Sequence, residues 1–407
     1  MFMNFIHTSD IHLGCTQYNI RERFYDFART FKKVMDYAID KDVEFILISG
    51  DLFHKRNINA PTYMQAFKVL NELKKESEIP VYAIEGNHDL NYHRDKNSWL
   101  QILDAQGLLK RFKIKENKEL SVEWMGDYVD INGIRIFGVK YIGAITRDSI
   151  PKIANEINTI NKKDPPEYTI LMMHFGMEGQ LMYDVAGEIS YNALLPLRNV
   201  VDYLALGHYH LQYEIDDWIF NGGSLETVTM NEYKTEKGFY HVKDNKKTLQ
   251  KIPTRPIERI FCDISDIKTP HDLYVHVQSI LDGEKSIESP LKPLVELVLY
   301  GNLNYPKSDI STERIKDKIQ QRYNPLWSNV KIQRTNEEFK KVGGVGLSKE
   351  EIELKVLKEM IKADGRYNKN IDLVANTIVE VKNLSQIKVD KSKILSVLRD
   401  SFEGVKG

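Results

Sequence analysis

Five short segments, far apart in the chain, contain side chains that can bind divalent metals. They are Asp10-Ile11-His12, Gly50-Asp51, Gly86-Asn87-His88-Asp89, His174 and Gly207-His208-Tyr209-His210. Together they supply carboxylate, amide and imidazole ligands, a mixed set that suits two divalent first-row metals better than one. Two such ions held roughly 3.5 to 4 Å apart can grip the attacking and leaving oxygens of an in-line displacement and lower the pKa of a bound water. The pattern therefore predicts hydrolysis of a phosphate ester.

Asp51 is expected to bridge the two metals, because it stands alone after a glycine at the end of the apolar run Phe45–Ser49. Asp10 and His12 are expected to point to the same side of an extended segment, since side chains two residues apart share a face of a strand. The same spacing recurs in the Gly-His-x-His segment. These ligands leave coordination positions for water and phosphate, as a site built for turnover requires.

Each segment alone also has an ordinary structural explanation. Asp-x-His occurs by chance, and Gly-Asp after a buried strand is usually a turn. Gly-Asn-His-Asp and Gly-His-x-His are rarer, because clustered imidazoles beside apolar strands have no evident packing role. Six of the 11 histidines lie in these segments or, like His54, next to one. The other five are expected at the surface or in the core with their hydrogen bonds satisfied: His7, His93, His241, His271 and His276.

Taken in this order, the segments resemble those of the calcineurin-like metallophosphoesterase superfamily. The longer strings His7–Gly14 and Ser49–His54 are similar, more narrowly, to its DNA double-strand-break repair branch, which contains the bacterial SbcD nucleases and the Mre nucleases of archaea and eukaryotes. The match covers about residues 1–250 at the level of motifs and the whole chain more loosely. One departure is the segment Asn221–Ser224, where the family commonly has a Pro-Gly-Ser turn.

The resemblance implies which side chains hold each metal. One ion would be bound by Asp10, His12, Asp51 and His210, and the other by Asp51, Asn87, His174 and His208. Two Mn²⁺ ions per chain are expected, because the family prefers manganese and the ligand set suits it. The order of metal affinities alone would favour zinc or copper.

Three further side chains are candidates for catalysis beside the metals. His88 follows a ligand by one residue and should point away from it, with Asp89 orienting its imidazole. His88 could then contact the scissile phosphate or protonate the leaving oxygen. His54 is a weaker candidate, with packing of the site as its alternative role. The basic segments Lys55-Arg56-Asn57 and Arg94-Asp95-Lys96 could reach neighbouring phosphates or could be merely solvated.

The ligand segments must be positioned by alternating strands and helices. Strands are predicted wherever a short apolar run leads into a ligand segment: Asn4–Thr8, Phe45–Ser49, Val81–Glu85, Tyr168–Met173 and Asp202–Leu206. The βαβαβ pattern at the start implies a parallel sheet with its ligands at the carboxyl ends of the strands. Trp218–Phe220 and Gly238–Val242 are assigned to a second sheet. We therefore expect an α/β fold, a two-sheet β-sandwich flanked by helices, over residues 1–252.

Pro253 and Pro256 indicate a boundary between two domains. Residues 253–334 alternate strand and helix patterns and look like the small α+β capping domain that helps to hold duplex DNA in the repair nucleases. A structural or dimerisation module is the alternative.

The C-terminal region predicts a tethered helical piece. Clustered glycines indicate a flexible linker over residues 335–347. Residues 348–407 predict amphipathic helices, opening on the capping-box pair Ser348 and Glu351. By resemblance, this piece binds a coiled-coil ATPase of the ABC type.

Composition limits the classes of partner. The 57 basic and 58 acidic residues nearly cancel, so contact with DNA must come from local patches rather than from a global field. No apolar run approaches the ~18 residues that span a bilayer, and Asp10 precedes any signal-peptide core. An intracellular, cytoplasmic protein beside the chromosome, without a membrane partner, is expected. Cys15 and Cys262 do not suggest a disulfide framework.

The leading hypothesis is an Mn-dependent nuclease acting on double- and single-stranded DNA at double-strand breaks, in complex with the ATPase. One alternative is a phosphatase or phosphodiesterase acting on small substrates. Another is a DNA-tethering scaffold whose nuclease activity is incidental. A homodimer is also expected, because Pro61–Lys74 and the residues Trp99, Leu100 and Leu103 suggest neighbouring exposed apolar stripes.

Overall fold

The computed structural model describes residues 3–91, 97–112, 127–181, 187–303 and 305–333, and in the C-terminal region residues 354, 357–358, 361, 370–386 and 391–403. The linker 335–347, the pair Ser348 and Glu351, and the segment from His93 to Lys96 lie outside the described residues. The chain divides into two units. Residues 1–260, 278–297 and 312–330 form the first, and residues 261–277, 298–311 and 331–407 form the second.

Two six-stranded mixed sheets make up most of the first unit. Their strands are β1 (Asn4–Thr8), β2 (Phe45–Ser49), β3 (Val81–Ile84), β4 (Lys110–Arg111), β5 (Tyr128–Ile131), β6 (Ile134–Gly138), β7 (Tyr168–His174), β8 (Tyr203–Gly207), β9 (Tyr213–Ile215), β10 (Ile219–Asn221), β11 (Gly238–Lys243) and β12 (Lys246–Lys251). The first sheet has the order β12-β11-β1-β2-β3-β4 and the second the order β5-β6-β7-β8-β10-β9. Strands β1, β2 and β3 are parallel, as are β6, β7 and β8.

The helices among the described residues are α1 (Arg21–Asp40), α2 (Ala60–Glu76), α3 (Trp99–Ala105), α4 (Thr146–Lys163), α5 (Tyr191–Leu194), α6 (Pro270–Gly283), α7 (Thr312–Tyr323), α8 (Ile371–Gln386) and α9 (Lys391–Glu403). Helix α2 has Pro61 in its first turn, as predicted, and the Asn59 side chain caps it by accepting from the Thr62 N–H at 3.0 Å. Among the described residues, the helices are too short or too polar to cross a membrane.

Alternate side chains of the central strands face two different cores. Phe5 and Phe45 lie between the two sheets, where their rings stack with centroids 4.9 Å apart. The next residues, Ile6 and Ile46, face the core that includes Phe27 of α1. Because both faces are covered, every residue of β1 and β2 is buried, and β2 is apolar except for Ser49. That is why their sequences predict strands so clearly.

A third sheet contains three strands. These are β13 (Ile257–Asp263), β14 (Leu294–Tyr300) and β15 (Trp327–Gln333), paired in the order β13-β14-β15. Helix α6 separates the first two strands in sequence and α7 separates the last two. The predicted fold class, a two-sheet sandwich flanked by helices and followed by α+β and helical pieces, is confirmed.

Two expectations about individual elements were wrong. Strand β11 belongs to the first sheet rather than the second, since it pairs antiparallel with β1 and places His241 opposite Ile6. An apolar pattern specifies a strand but not its neighbour. Leu100 and Leu103 do not form an exposed stripe, because both are fully buried in the core that includes Leu70 of α2.

Candidate metal centre

The candidate ligand segments begin where strands end. Asp10, Asp51 and Asn87 follow β1, β2 and β3 of the first sheet, whereas His174 ends β7 and His208 follows β8 of the second. The backbone N–H of His208 donates to the Asp10 carboxylate at 3.0 Å. The strand ends of the two sheets therefore meet at one place.

One group of candidate ligands consists of Asp10, His12 and His210, whose ligand atoms lie within 4.8 Å of one another. The Nε2 atoms of His12 and His210 are 3.0 Å apart, and His12 Nε2 is 3.9 Å from Asp10 Oδ1. The Nδ1 of His210 lies 3.0 Å from Glu232 Oε1. That partner assigns the proton to Nδ1 and leaves the lone pair on Nε2. Two imidazole nitrogens and a carboxylate that converge in this way fit a divalent cation between them.

A second group consists of Asp10, Asp51 and His174, all buried. His174 Nε2 is 3.4 Å from Asp51 Oδ2 and 3.2 Å from Asn87 Oδ1. His208 Nδ1 lies 3.1 Å from the same amide oxygen. The side chains that the family resemblance assigns to the second metal therefore lie together. Asp10, rather than Asp51, is the carboxylate common to the two groups.

The charge states of the candidate ligands differ from one side chain to another. Burial lowers the pKa of His12, and it lowers the pKa of His208 to about 4, so both imidazoles are neutral at pH 7 and keep a lone pair for a metal. Burial alone would raise the pKa of Asp51, but the charge of His174 and its hydrogen bond outweigh burial and lower it. The pKa of His174, which burial would lower, is raised to about 9 by the same carboxylate.

Four candidate ligands have a backbone conformation that is unfavourable for residues other than glycine. The φ angle is 49° at Asp10, 52° at His12, 54° at Asp51 and 107° at His208. Asp10 with His12, and His208 with His210, were expected to lie on extended segments, and the positive φ angles at Asp10, His12 and His208 show that this expectation was wrong. The ligands converge because tight turns follow the strands. Conformations of this kind cost about 1–3 kcal/mol each and cluster at functional sites.

The glycines of the motifs make room for the ligands. A Cβ added at Gly50 would lie 2.3 Å from His174 Nδ1, and one added at Gly86 would lie 2.1 Å from Asp51 Oδ1. Gly50 also has a φ of +92°, which residues with side chains rarely adopt. The glycines of the Gly-Asp and Gly-Asn-His-Asp segments are thus required, because a side chain at either position would overlap a candidate ligand.

His54 and His88 stand beside the first group of ligands. Together with His12 they form another cluster whose ring nitrogens lie within 4.8 Å of one another. The His54 and His88 rings are nearly parallel, with centroids 5.7 Å apart. His88 Nδ1 lies 2.7 Å from the His54 carbonyl oxygen and donates to it. Burial lowers the pKa of His54 to about 4.

Asp89 does not orient the imidazole of His88, and that prediction was wrong. Its carboxylate accepts backbone hydrogen bonds from Leu52 at 3.1 Å, Phe53 at 2.9 Å and Gly86 at 3.1 Å. Asp89 is buried, and burial together with the nearby charge of Asp51 raises its pKa well above the ordinary value despite these bonds. Its role is to fasten the loop after β2 to the loop after β3.

The two basic side chains after β2 have different surroundings. Arg56 Nε donates to the Asn87 carbonyl oxygen at 3.0 Å, so this guanidinium fixes a ligand loop. Lys55 is exposed next to His54.

The family model of calcineurin-like phosphoesterases matches residues 3–212, just over half of the 407-residue chain. The chain belongs to this family. It is similar to the DNA double-strand break repair protein Mre11 of Archaeoglobus fulgidus, with 28% identity over 317 residues, 71% of this chain and 68% of that protein. The Mre11 protein of Methanocaldococcus jannaschii is 32% identical over 259 residues, 59% of this chain and 62% of its own.

Among solved structures, a dimetal phosphatase from Danio rerio aligns with 61% of this chain and 95% of its own, at 12% identity and a TM-score of 0.39. The resemblance to the superfamily and to its repair branch, inferred from the motifs, is confirmed by the family model and the archaeal relatives.

Sequence reasoning missed residues that support the ligands of this calcineurin-like phosphoesterase. Asn221, at the departure from the family's Pro-Gly-Ser turn, donates to the carbonyl oxygens of Tyr209 and Leu211, each at 2.7 Å. It thereby holds the loop that contains His208 and His210. Nothing in the local pattern of residue types marks Asn221 for this role.

Tyr141 was also missed. Its ring centroid lies 6.1 Å from that of His174 and 6.0 Å from that of His208. Tyr141 lies just beyond β6, the parallel neighbour of β7. Its place after the carboxyl end of a parallel strand is the signal that could have found it.

Proposed function

We propose that this chain is a metal-dependent DNA nuclease that processes double-strand-break ends, of the 3′-5′ exonuclease and single-strand endonuclease type. The observation that carries the proposal is the convergence of carboxylates and imidazoles from the ends of five strands in two sheets. The similar archaeal proteins are named for DNA double-strand break repair. Those names supply the substrate class.

We assign two Mn²⁺ ions to the centre, with the ligand sets Asp10, His12, Asp51 and His210, and Asp51, Asn87, His174 and His208. Both oxygens of Asp51 are engaged in the cluster: Oδ1 accepts from the His88 N–H at 2.9 Å, and Oδ2 is 3.4 Å from His174 Nε2. Asp51 is proposed as the bridging carboxylate on the family resemblance, although Asp10 is the carboxylate common to the two groups of ligand atoms. Bound metals would supply positive charge to the phosphate and a water of lowered pKa.

His88 is proposed as the side chain that contacts the scissile phosphate or protonates the leaving oxygen. Because its Nδ1 donates to the His54 carbonyl, its Nε2 remains to take or give a proton. His54 contributes by fixing that orientation. Asp89 contributes indirectly, by fastening the loops on which Asp51 and His88 stand.

The proposed domain organisation follows the family resemblance. Residues 1–252 form the nuclease domain and residues 253–334 a capping domain that grips duplex DNA. Residues 335–347 link them to a helical domain, residues 348–407, that binds the coiled-coil ABC-type ATPase. The exposed Leu373, Ile378 and Leu395 support a partner surface there. We place the complex inside the cell, with the chromosome.

A homodimer through α2 is proposed on one surface feature. Met64 is 40% exposed, and the ring of the preceding residue, Tyr63, lies 5.6 Å from that of Trp99 between centroids. Such a helical face can form an isologous contact.

The proposal is tested with full-length protein on linear duplex, hairpin and single-stranded circular DNA, with Mn²⁺ or with a chelator. We expect Mn²⁺-dependent cleavage that Asp51→Ala abolishes together with metal binding. Asp36→Ala, at an exposed ion pair on α1, is the control. Hydrolysis of a bis-aryl phosphate without cleavage of DNA would instead indicate a small-substrate phosphoesterase. DNA binding without hydrolysis would indicate a tethering scaffold.

A further inference from the structure

Glu232 contacts the candidate ligand His210 on the side away from the other ligands. It ends a single 3-10 turn, Met230–Glu232, and belongs to none of the ligand segments. Its Oε1 lies 3.0 Å from His210 Nδ1, while His210 Nε2 lies 3.0 Å from His12 Nε2. The carboxylate and the candidate metal position are therefore on opposite nitrogens of one ring.

Lys237 fixes this carboxylate. Its Nζ donates to Glu232 Oε2 at 2.7 Å, to Ser224 Oγ at 2.8 Å and to the His210 carbonyl oxygen at 3.1 Å. Lys237 is buried, so the ammonium has exchanged its water for these partners. Glu232 also accepts from the backbone N–H groups of Val228 and Thr229 at 3.1 and 3.0 Å. The carboxylate is held from several sides in one orientation.

The other candidate imidazoles have different partners on their second nitrogen. His174 Nδ1 is 2.8 Å from the Ser49 carbonyl oxygen, and His12 Nδ1 is 3.5 Å from a nitrogen of His54. His208 Nδ1 faces the amide oxygen of Asn87, which is itself a candidate ligand. Among these described side chains, a full negative charge is hydrogen-bonded to the second nitrogen of His210. A carboxylate in this position fixes the tautomer of a ligand histidine and makes it a stronger ligand.

We propose that Glu232, held by Lys237, is a positioning residue that sets the tautomer of His210 and strengthens one of the two metal positions relative to the other. This inference rests on the metal centre of the proposed function and is independent of its DNA substrate. It makes the two metal positions unequal: the one that includes His210 binds more tightly than its own ligands alone would allow.

The test compares Glu232→Gln with Glu236→Gln in the full-length protein by titrating Mn²⁺ into the metal-free form and measuring binding by calorimetry. Glu236 lies nearby but forms an exposed ion pair with Lys251 at 2.6 Å, so it is a matched control. Glu232→Gln should weaken one binding step about 10- to 100-fold and leave the other near its wild-type value. Glu236→Gln should change neither. Equal constants for Glu232→Gln and Glu236→Gln would overturn the proposal, as would an equal loss in both steps.

A second measurement needs no substitution. Nitrogen-15 NMR of the metal-free wild type should show His210 protonated on Nδ1, and a resonance for that proton which Glu232→Gln shifts and Glu236→Gln does not. A neutral His210 ring with its single proton on Nε2 would overturn the assignment. If the DNA assays fail while these results hold, the metal-site inference stands and the proposed substrate is wrong.

Discussion

Asp51 lies so close to the backbone at position 86 that no residue larger than glycine fits there. A Cβ on Gly86 would meet Asp51 Oδ1 at 2.1 Å and the Asp51 backbone nitrogen at 2.5 Å. Relief by backbone movement is opposed, because Asp89 accepts from the Gly86 N–H and from the Leu52 and Phe53 N–H groups of the facing loop. The position of a central ligand is thus decided by a residue that has no side chain.

Gly86→Ala should weaken Mn²⁺ binding by at least about tenfold, because displaced support for a ligand has effects of that size. The overpacking should also lower the free energy of unfolding by about 1–3 kcal/mol. Mn²⁺ titration and urea unfolding measure the two effects. Gly283→Ala is the control, since a Cβ at Gly283 meets nothing within 4 Å. Unchanged metal binding in Gly86→Ala would show that Asp51 is not a ligand.

His88→Ser should separate chemistry from metal binding. The contact of His88 with Asp51 is made by the backbone N–H, which the substitution keeps, so both metals should remain bound. Loss of the imidazole should lower hydrolysis about 10²- to 10⁴-fold if it acts as a proton donor. Single-turnover cleavage and metal content, measured on the same preparation, check the prediction. Loss of metal would make His88 a ligand instead.

The sequence predicts the side chains that converge in the site but not those that support them. Few residue types can bind a divalent cation, so the ligand segments stand out from residue type and order alone. Glu232 and Lys237 are ordinary charged residues, and nothing local distinguishes them from the exposed pair of Glu236 and Lys251. Their burial becomes evident only when the fold brings the loop after β10 against His210.

Among the elements, α1 carries charged side chains that form a buried network. Asp26 accepts from Arg23 at 2.7 Å and from Arg255 at 2.6 and 3.0 Å. Arg23 also lies 3.3 Å from Glu226. Arg255 and Glu226 are about 200 residues or more away from α1 in sequence, so the pattern of the helix could not reveal them. The network fastens the segment after β12 to the phosphoesterase fold.

Asp26→Asn should lower the free energy of unfolding at pH 7 by about 3–5 kcal/mol, because it leaves buried guanidinium groups without their counter-charge. Burial alone would raise the pKa of Asp26, but the hydrogen bond from Arg255 and the charges of Arg23, Arg255 and Arg29 outweigh it and lower the pKa. Such a carboxyl stabilises the fold above its unfolded pKa, about 3.9. That stabilisation is lost as the pH falls through the lower, folded pKa.

The difference in stability between wild type and Asp26→Asn should therefore narrow as the pH falls below about 4. Urea unfolding over a pH series measures it. Asp36→Asn, on the same helix but at an exposed ion pair with Lys32, should cost no more than about 1 kcal/mol at any pH. A gap for Asp26→Asn that is the same at neutral and at acid pH would rule out a charged Asp26 as its source.

For the strands, the sequence predicts the bounds but not the neighbouring strand in the sheet. β1 and β2 are predicted with the bounds they have, because both of their faces are covered and every residue is apolar or buried. β11 is predicted as a strand but assigned to the wrong sheet, since its pairing with β1 joins segments that are far apart in the chain. Register and partner depend on tertiary packing, which local pattern does not encode.

At the scale of the whole molecule, the chemistry and the proposed partner surface belong to different units. The candidate ligands end at His210 in the first unit, whereas α8 and α9 lie in the second. A small core holds this helical part together, with Val374 and Ala375 packed against Ile361. A core of that size cannot cover all the apolar side chains of its helices. Leu373, Ile378 and Leu395 are 40%, 41% and 62% exposed.

Replacing these three exposed side chains together by glutamate in the full-length protein should abolish binding to the coiled-coil ATPase, because a buried hydrophobic contact would then have to desolvate charges. Mn²⁺-dependent DNA cleavage by the chain alone should be unchanged, since none of the three belongs to the unit that holds the ligands. Asn376→Glu, an exposed polar position on α8, tests whether added charge alone interferes. Pull-down with the purified ATPase and cleavage of linear duplex, measured on the same preparations, decide the outcome. Retained binding by the triple variant would place the ATPase contact elsewhere, and a parallel loss of cleavage would mean that the two units do not act separately.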